Sequence, residues 1–361
     1  MIDMDKEIIT TKQAIFLVII FIIGTSIILT GITMAKQDIW ISIILALSAI
    51  MPMIFVYCKI ISLFPGKNLF EILDIIYGKI IGRIFSLLYI LYFLYLGALC
   101  VRNITEFIQV VSFRLTPQYF SGIWIILVSS YMVRSGIEVF GRWANLVCVL
   151  LLALILIMTL LSMSQLDFQN VLPVLYEGWS PVLKSTINIF SFPFGEIVVF
   201  LALFNTLKEP KKTFKILSLS TLIGGGLILI VSIRSVLILG TPLVDNTSFP
   251  TYYANTIITI GSFLENVAIF SSIILLLAGF AKFTTCLFAI CLGLKHVFNT
   301  KEYGIYSLPV GLIVLIISQL LFSSTMEMME NFDYYHYYAL PFQTVLPLIT
   351  LVFSCRKKNK V

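Results

Sequence analysis

A polar triplet lies in the middle of the first long apolar run of this sequence. Gly24, Thr25 and Ser26 interrupt the run, which extends from about residue 14 to residue 32. They would let a helix unwind, and the freed backbone groups could hold a small zwitterion. Amides at a helix N-terminus favour a carboxylate, and carbonyls at a C-terminus favour an ammonium. The triplet is therefore a candidate ligand site; close helix packing by small residues is the alternative.

A second interruption lies in the segment FSFPFGEIVVF, where Phe194, Gly195 and Glu196 follow Pro193. A proline inside a helix removes a backbone hydrogen bond and clashes with the preceding turn. Glu196 would fall in the first turn beyond the break. There it could bind a ligand ammonium, carry a proton or simply complement the N-terminus of a half-helix. We expect Phe194, Gly195 and Glu196 to face the same ligand as the first triplet.

The elements that position these residues are membrane helices. Hydrophobic residues make up 59% of the chain, charged residues 12%, and the mean hydropathy is +1.03. Soluble domains carry about 25% charged residues, and a membrane-spanning helix needs roughly 20 apolar residues. The sequence predicts an all-α polytopic protein with ten spans. The apolar runs cover approximately 12–33, 39–63, 83–111, 118–136, 142–164, 181–207, 214–240, 262–294, 306–326 and 337–355.

The basic residues predict the orientation of these spans. With the N-terminus inside, the inner segments hold 18 of the 24 Lys and Arg residues, so both termini are expected in the cytoplasm. The net charge of +6 then marks the cytoplasmic face and implies no nucleic-acid partner. The stretch 64–83 is expected to form a cytoplasmic amphipathic helix.

The positions of the two breaks predict an inverted repeat. Each break comes about 12 residues into its helix, and the second lies five helices after the first, which places the two halves in opposite orientations. We predict a single membrane domain over 1–361, with repeats at 12–164 and 181–355 and with discontinuous helices 1 and 6. In such folds the ligand binds between the broken helices.

Other polar residues within the runs have two interpretations each. Tyr95 on helix 3 has the depth to line the cavity, and Thr284 and Thr285 on helix 8 could each supply a hydroxyl; packing is the alternative. Arg102 and Glu106 form a pair at i,i+4, or else a gate over the ligand.

Two further features are expected at the membrane interface. Arg234 and Glu265 lie near outer helix ends. The segment ENFDYYHYYALPF, residues 330–342, is typical of an aromatic belt, with a ligand vestibule or partner contact as the alternative.

The composition argues against an enzyme. The six cysteines are scattered without metal or redox spacing, which favours free, packed thiols. The sequence has two histidines, His296 and His336, and offers no Ser-His-Asp set or metal cluster. We therefore expect no catalytic residues, no metal and no cofactor.

Four segments resemble the B-subunit of spore germinant receptors, the spore germination permease family of the amino acid–polyamine–organocation superfamily. They are IITTKQAIFLVIIFIIGTSI, FPGKNLFEILDIIYGKIIGRI, NVLPVLYEGWSPVLKS and FSFPFGEIVVF. The resemblance covers about residues 9–358 and implies a ten-helix, LeuT-like inverted-repeat fold in the inner membrane of bacterial spores. It also implies a nutrient ligand, often an amino acid, and a complex with an A-subunit and a lipoprotein C-subunit.

The resemblance also suggests a role for Lys282. In related transporters helices 1 and 8 form a sodium site, and a lysine ammonium replaces the ion in some proton-coupled members. We expect Lys282 on helix 8 to act as such a cation against helix 1. A lysine that extends to the cytoplasmic surface is the alternative.

Two functions follow from these observations. The first is a receptor subunit in which nutrient binding shifts the equilibrium between two helix arrangements and triggers germination. The second is a permease that moves an amino acid with a proton or sodium. The fold permits both.

Overall fold

The computed structural model describes residues 7–29, 32–245, 247–258 and 267–358, and this part of the chain is almost entirely helical. Glu265, which we predicted at an outer interface, lies outside the described residues. Within these described ranges, seven helices are long and apolar enough to cross a membrane, and Thr11–Ile23 and Gly304–Leu320 are shorter apolar helices. The chain is therefore a multi-pass membrane protein, as its composition predicted.

We number the ten longest helical segments of the described residues α1 to α10; shorter helices lie between some of them. Three of the ten consist of several pieces, and α7 is kinked. The segments are α1 (Thr11–Ile23, Ser26–Leu29 and Ile32–Ala35), α2 (Ile39–Leu63), α3 (Lys79–Val111), α4 (Gln118–Ser135), α5 (Ile137–Leu161), α6 (Trp179–Ile189, Phe190–Phe194 and Gly195–Ala202), α7 (Thr213–Asp245, kinked at Gly240), α8 (Ala268–Phe298), α9 (Ser307–Leu320) and α10 (Thr325–Leu340, Pro341–Val345 and Leu346–Lys358).

The break in α1 occurs at the predicted triplet. The helix begins at a capping box formed by Thr10 and Gln13, and it ends at Gly24, whose φ of 33° and ψ of −129° are not helical. The positive φ favours glycine, because a side chain there is strained. Helical structure resumes at Ser26, so α1 is discontinuous as the sequence predicted.

The break in α6 is centred on Phe192. This residue has φ −131° and ψ 111°, whereas Ile189 and Phe194 on either side are helical. Pro193 supplies the physical reason, since it cannot donate the backbone hydrogen bond that a continuous helix requires. Gly24 follows Thr11 by 13 residues, and Phe192 follows Trp179 by 13 residues. Both breaks therefore lie at the same distance from the start of their helices, as predicted. The inverted repeat itself stays a prediction.

The centre of the bundle is formed by α1, α6 and α8. Residues 17–23 of α1 are all buried, so this helix is surrounded by protein on every side. It packs against α5, α7 and α8, and α8 also packs extensively against α3. The Phe21 ring of α1 meets the Phe200 ring of α6 edge to face at 5.2 Å. The broken helices are therefore neighbours in the core rather than at the lipid face.

One end of the bundle is closed by the N-terminal segment, and we call it the inner end, as the basic residues predict. The Glu7 carboxylate accepts hydrogen bonds from the Tyr303 hydroxyl at 2.7 and 2.8 Å and from the Ile137 amide at 3.2 Å. Ile9 pairs through its backbone with the segment that follows α6, at Thr206 and Lys208. These contacts join α1, α5, α6 and α9 at the inner end.

An amphipathic helix over Leu69–Tyr77 follows α2, within the stretch 64–83 where one was predicted. Asn68 and Glu71 form its capping box, and Gly78, with φ 83°, ends it. Asp74 contacts the imidazole of His296 at the end of α8 at 2.9 Å. Tyr303, which binds Glu7, also packs against Phe288 of α8. The amphipathic helix therefore lies at the same end of the bundle as Glu7.

The structure corrects the expectation for Arg234. This residue was predicted at an interface, but it is only 3% exposed and lies within α7. The six cysteines are free, and all except Cys355 are buried.

Candidate functional site

A buried ion pair joins α8 to α6 at the second helix break. Lys282 Nζ lies 2.5 Å from Glu196 Oε2, and the side chains are 1% and 0% exposed. A charged side chain inside the membrane costs several kcal/mol unless it is paired. Lys282 therefore does not extend to the cytoplasmic surface, which was the alternative to its predicted role. Each charge is stable at this depth because the other is present.

The stem of Lys282 crosses the first helix break. A Cβ atom placed on Gly24 would come within 2.6 Å of Lys282 Cδ, so the lysine uses the space that a side chain would fill. The ammonium lies 4.3 Å from the centre of the Phe192 ring and 5.5 Å from that of Phe21. Lys282 thus contacts both breaks: its stem lies against α1 and its charge against α6.

A chain of hydrogen bonds holds the Glu196 carboxylate. The Tyr335 hydroxyl of α10 donates to Glu196 Oε1 at 2.8 Å and lies 3.4 Å from the Tyr92 hydroxyl of α3. Gln343 Nε2 in turn donates to Tyr92 at 2.8 Å and to the Ser191 carbonyl at 2.9 Å. The carbonyl freed by the α6 break is thereby satisfied inside the protein, as a broken membrane helix requires.

A cavity lies beside the ion pair and between the breaks. Its free volume is only about 10 Å³, which is room for roughly one water molecule. The cavity is therefore too small for a nutrient in this arrangement of the helices. Its lining comes from α1, α3, α6, α8 and α10 and from the link between α9 and α10. It comprises Thr25, Leu96, Leu99, Cys100, Asn103, Phe192, Glu196, Lys282, Phe322, Met328, Asn331, Phe332 and Tyr335.

The polar atoms of this cavity include unused donors and an unused acceptor. Lys282 Nζ has three N–H groups, and its one polar contact among the described residues is Glu196. Asn103 Nδ2 lies 3.5 Å from Thr25 Oγ1, and Asn103 Oδ1 has no partner in the described part of the chain. The charges of Lys282 and Glu196 cancel, so the site is neutral overall. It offers the Lys282 ammonium as a donor and the Asn103 amide oxygen as an acceptor to a small polar ligand.

The structure brings three of the predicted site residues to the cavity wall: Thr25, Glu196 and Lys282. Gly24 contributes by having no side chain, which leaves space for the stem of Lys282. Ser26 is buried on the outer side of the first break. These residues come from distant parts of the sequence and meet where the two breaks face each other.

Two predicted residues next to the α6 break have packing roles. Gly195 lies against the Gln343 amide, where a Cβ would collide with Oε1, and this close approach requires glycine. Phe194 is fully buried and contacts the backbone of α7 at Gly225. Neither residue lines the cavity.

Three further predicted residues lie away from the cavity. The Thr284 hydroxyl donates to Ser129 on α4 at 3.1 Å, and the Thr285 hydroxyl donates to the Ala281 carbonyl of its own helix at 2.8 Å. Each is therefore satisfied elsewhere. Tyr95 is half-buried, and its hydroxyl lies 3.5 Å from Asn331, which itself lines the cavity.

Sequence reasoning missed the contribution of α10. We assigned residues 330–342 to an interfacial belt, and Tyr334, Tyr337 and Tyr338 are indeed exposed. Tyr335, however, is buried and bonds Glu196, and the belt interpretation is wrong for it. The spacing of Met328, Phe332, Tyr335 and Ala339 at three or four residues was the available signal for a buried helix face.

A second buried ion pair lies near the outer end of α3. Arg102 bonds Glu106 Oε2 at 2.9 Å, which confirms the predicted i,i+4 pair. Glu106 also accepts hydrogen bonds from Gln118 of α4, at 2.6 Å, and from Thr325 at the start of α10. The pair thus joins three helices next to Asn103 of the cavity, and a gating role for it stays a prediction.

Comparison with known proteins shows a consistent relationship along the chain. The profile of a family described as "Spore germination protein" matches residues 8–326. The chain is 30% identical to spore germination protein KB of Bacillus subtilis (strain 168), over 99% of this chain and 97% of that protein. It is 27% identical to spore germination protein YndE of the same organism, over 97% of each.

Solved structures show the same fold in transporters. Mhp1, a nucleobase-cation-symport-1 family transporter solved closed with bromovinylhydantoin bound, aligns with a TM-score of 0.68 at 13% identity and covers 96% of this chain and 78% of its own. A manganese transporter of Eremococcus coleocola aligns with a TM-score of 0.66 at 14% identity, over 95% and 84%. At these identities the likeness shows the fold, which is that of the LeuT-like transporters.

Proposed function

The chain belongs to the spore germination protein family, and from this premise we propose that it is the nutrient-sensing subunit of a germinant receptor. Its ligand would be an amino acid or another small nutrient that binds between the broken helices α1 and α6. Binding would change the relative positions of these helices and so trigger germination. No catalytic chemistry is involved in this role.

The observation that carries the proposal is the composition of the cavity between the helix breaks. Lys282 offers unused N–H groups to a carboxylate, and Asn103 Oδ1 offers an acceptor to an ammonium. The rest of the wall is largely apolar, with Leu96, Leu99 and Phe332 beside these groups. A small zwitterion with a short side chain matches this arrangement in charge and in polarity.

The role of Glu196 in this proposal differs from our first expectation. Its two oxygens are already bonded to Lys282 and Tyr335, so the carboxylate is not free to receive a ligand ammonium. We propose that Glu196 fixes the Lys282 ammonium at the breaks and that Lys282 serves as the internal cation. Ligand binding would then add to an existing charge pair instead of replacing it.

The small free volume of the cavity implies that the helices must move before the ligand can bind. The present volume admits little more than a water molecule, so α1, α6 or α10 must move before a nutrient can bind. A ligand that binds the opened arrangement more tightly shifts the equilibrium toward it, which is the property a receptor needs.

The proposed setting follows from the family. We place the protein in the spore inner membrane with both termini on the core side, in a complex with an A-subunit and a lipoprotein C-subunit. Purification of the tagged protein from spore membranes tests the complex, since both subunits should copurify with it.

Germination assays test the sensing role. Spores that lack the gene and carry either the wild-type chain or Asn103→Ala are exposed to single amino acids, sugars and nucleosides. We expect the wild-type chain to confer a response to a particular nutrient. Asn103→Ala should need roughly 10–100-fold more of it, since a hydrogen bond to a charged group contributes about 1.5–3 kcal/mol. An unchanged dose response in this variant would exclude Asn103 from the site.

Transport is a second candidate function, favoured by the likeness of the fold to solved transporters. The purified chain in liposomes distinguishes the two. Saturable uptake of the activating nutrient, driven by a proton or sodium gradient, would identify a permease. Binding without flux would identify a sensor.

A further inference from the structure

A third buried cation, after Lys282 and Arg102, has no counterpart in the described part of the chain. Arg234 of α7 is 3% exposed, and all three of its guanidinium nitrogens lack a hydrogen-bond partner there. A guanidinium remains charged inside a protein, and an unpaired charge within a membrane protein is strongly unfavourable. The arrangement therefore calls for a negative group beside Arg234.

Arg234 lines a small cavity that is separate from the one at the helix breaks. Its free volume is about 10 Å³, which is room for roughly one water molecule. The polar lining residues are Arg234, Thr251 and Ser271, and the remainder, which includes Ile27 and Ile155, is apolar. No carboxylate lines the cavity among the residues that the structure describes.

Ser271 provides a second donor toward this cavity. Its oxygen accepts a hydrogen bond from Asn255 at 2.5 Å, and no hydrogen bond donated by Ser271 is found among the described residues. Thr251 differs, since its hydroxyl donates to the Ile27 carbonyl at 2.9 Å and accepts from Ser235 at 3.3 Å. The lining residues that could donate to a bound group are thus Arg234 and Ser271.

We propose that this cavity binds a small monovalent inorganic anion such as chloride. The free core has room for one water-sized particle, which fits a halide and excludes a nutrient carboxylate with its side chain. A guanidinium and a hydroxyl in an apolar enclosure are donors suited to an anion, and the positive charge of Arg234 disfavours a cation there. The site lies between α7, α8, α5 and the outer half of α1.

The anion would stabilise the outer half of α1. Ile27 lines the cavity, and Thr251 on the short outer helix Pro250–Thr256 bonds its carbonyl. Ile27 follows Thr25 of the helix break by two residues. Neutralisation of Arg234 would therefore favour the packing of α1 on α7 that the structure shows.

Thermal unfolding of the purified chain in nanodiscs tests the site without reference to germination. The midpoint is measured in sodium chloride and in sodium gluconate at equal ionic strength. We expect chloride to raise the Tm of the wild-type chain by at least about 2 °C. Arg234→Gln should have the same Tm in both salts, and in gluconate it should be at least as stable as wild type, because an unpaired buried charge has been removed. Equal wild-type values in the two salts, or a chloride effect that survives Arg234→Gln, would overturn the proposal.

Two further variants identify the partner of Arg234. Ser271→Ala keeps the guanidinium and should shift the chloride dependence to about tenfold higher concentration, which corresponds to one lost hydrogen bond. Glu265→Gln should leave the chloride effect unchanged. If Glu265→Gln instead creates or enlarges a chloride effect, the negative group is a carboxylate of the chain itself, and the site is not one for a free anion.

Discussion

At the residue scale, the Lys282–Glu196 pair is the feature on which the site depends. Removing one member of a buried pair leaves the other charge alone and destabilises a protein by about 3–5 kcal/mol. Lys282→Met should therefore reduce the yield of folded protein and abolish the nutrient response. Lys282→Met with Glu196→Gln should recover the yield but not the response.

Lys215→Met is the matched control, since Lys215 is an exposed lysine of α7. Thermal unfolding and germination are measured for all three variants in parallel. A normal nutrient response in the double variant would show that the pair has only a structural role.

Gly24 provides a second test at this scale. Gly24→Ala places a Cβ at a φ of 33° and within 2.6 Å of Lys282 Cδ, so it should displace the lysine and lower nutrient sensitivity by at least about tenfold. Gly226→Ala on α7 is the control, since its Cβ meets no atom within 4 Å. It should be neutral or stabilising by about 0.5–1 kcal/mol. Similar dose responses for the two variants would argue against a role for the α1 break.

At the element scale, α10 contributes more to the site than its composition suggested. Tyr335→Phe removes the hydroxyl that donates to Glu196 and keeps the ring, so it should weaken the response by about tenfold while leaving the fold intact. Tyr334→Phe, at an exposed neighbour, should have no effect. The dose of nutrient for half-maximal germination measures both variants, and equal values would separate α10 from the site.

The broken helices show what could be predicted from sequence at this scale. Pro193 and the Gly24 triplet identified both breaks, because backbone groups freed in a membrane need special residues. The partner of Glu196 could not be identified, since Lys282 lies 86 positions away and a lone buried lysine has many possible neighbours. Thr284 and Thr285 were assigned to the cavity by depth alone. Depth does not fix which face of a helix a residue occupies, and Thr284 bonds Ser129 on α4 instead.

Tyr335 was obscured for a different reason. It stands among exposed tyrosines, and an interfacial belt is the usual explanation of such a cluster. Arg234 was assigned to an interface because it lies near the outer end of its apolar run. In the structure it is buried within α7, because position along a run does not fix which face of the helix a residue occupies.

At the scale of the whole molecule, we expect the Glu7 contacts with Tyr303 and Ile137 to hold the inner end together. Burial and the Glu7 carboxylate raise the pKa of the Tyr303 phenol above its usual value, so it remains a hydrogen-bond donor at physiological pH. The contribution of this contact to stability is complete below about pH 10 and is lost as the pH rises further.

Glu7→Ala should therefore open the inner end more often. Opening can be measured through Cys100, which lines the cavity. For this measurement the other five cysteines are replaced by serine or alanine. We expect labelling of Cys100 by a small maleimide to be slow with Glu7 present and several-fold faster in Glu7→Ala. Glu209→Ala, an exposed acidic residue at the same end, should leave the rate unchanged. Equal rates for the two variants would show that Glu7 does not control access.

The central claim concerns the place where the nutrient binds, and a structure with the ligand tests it most directly. The protein is prepared with the nutrient that activates its spores and examined by electron cryomicroscopy. We predict density for the ligand between the breaks of α1 and α6, in contact with Lys282 and Asn103. Ligand density at another position, or α1 and α6 seen as continuous helices, would contradict the account.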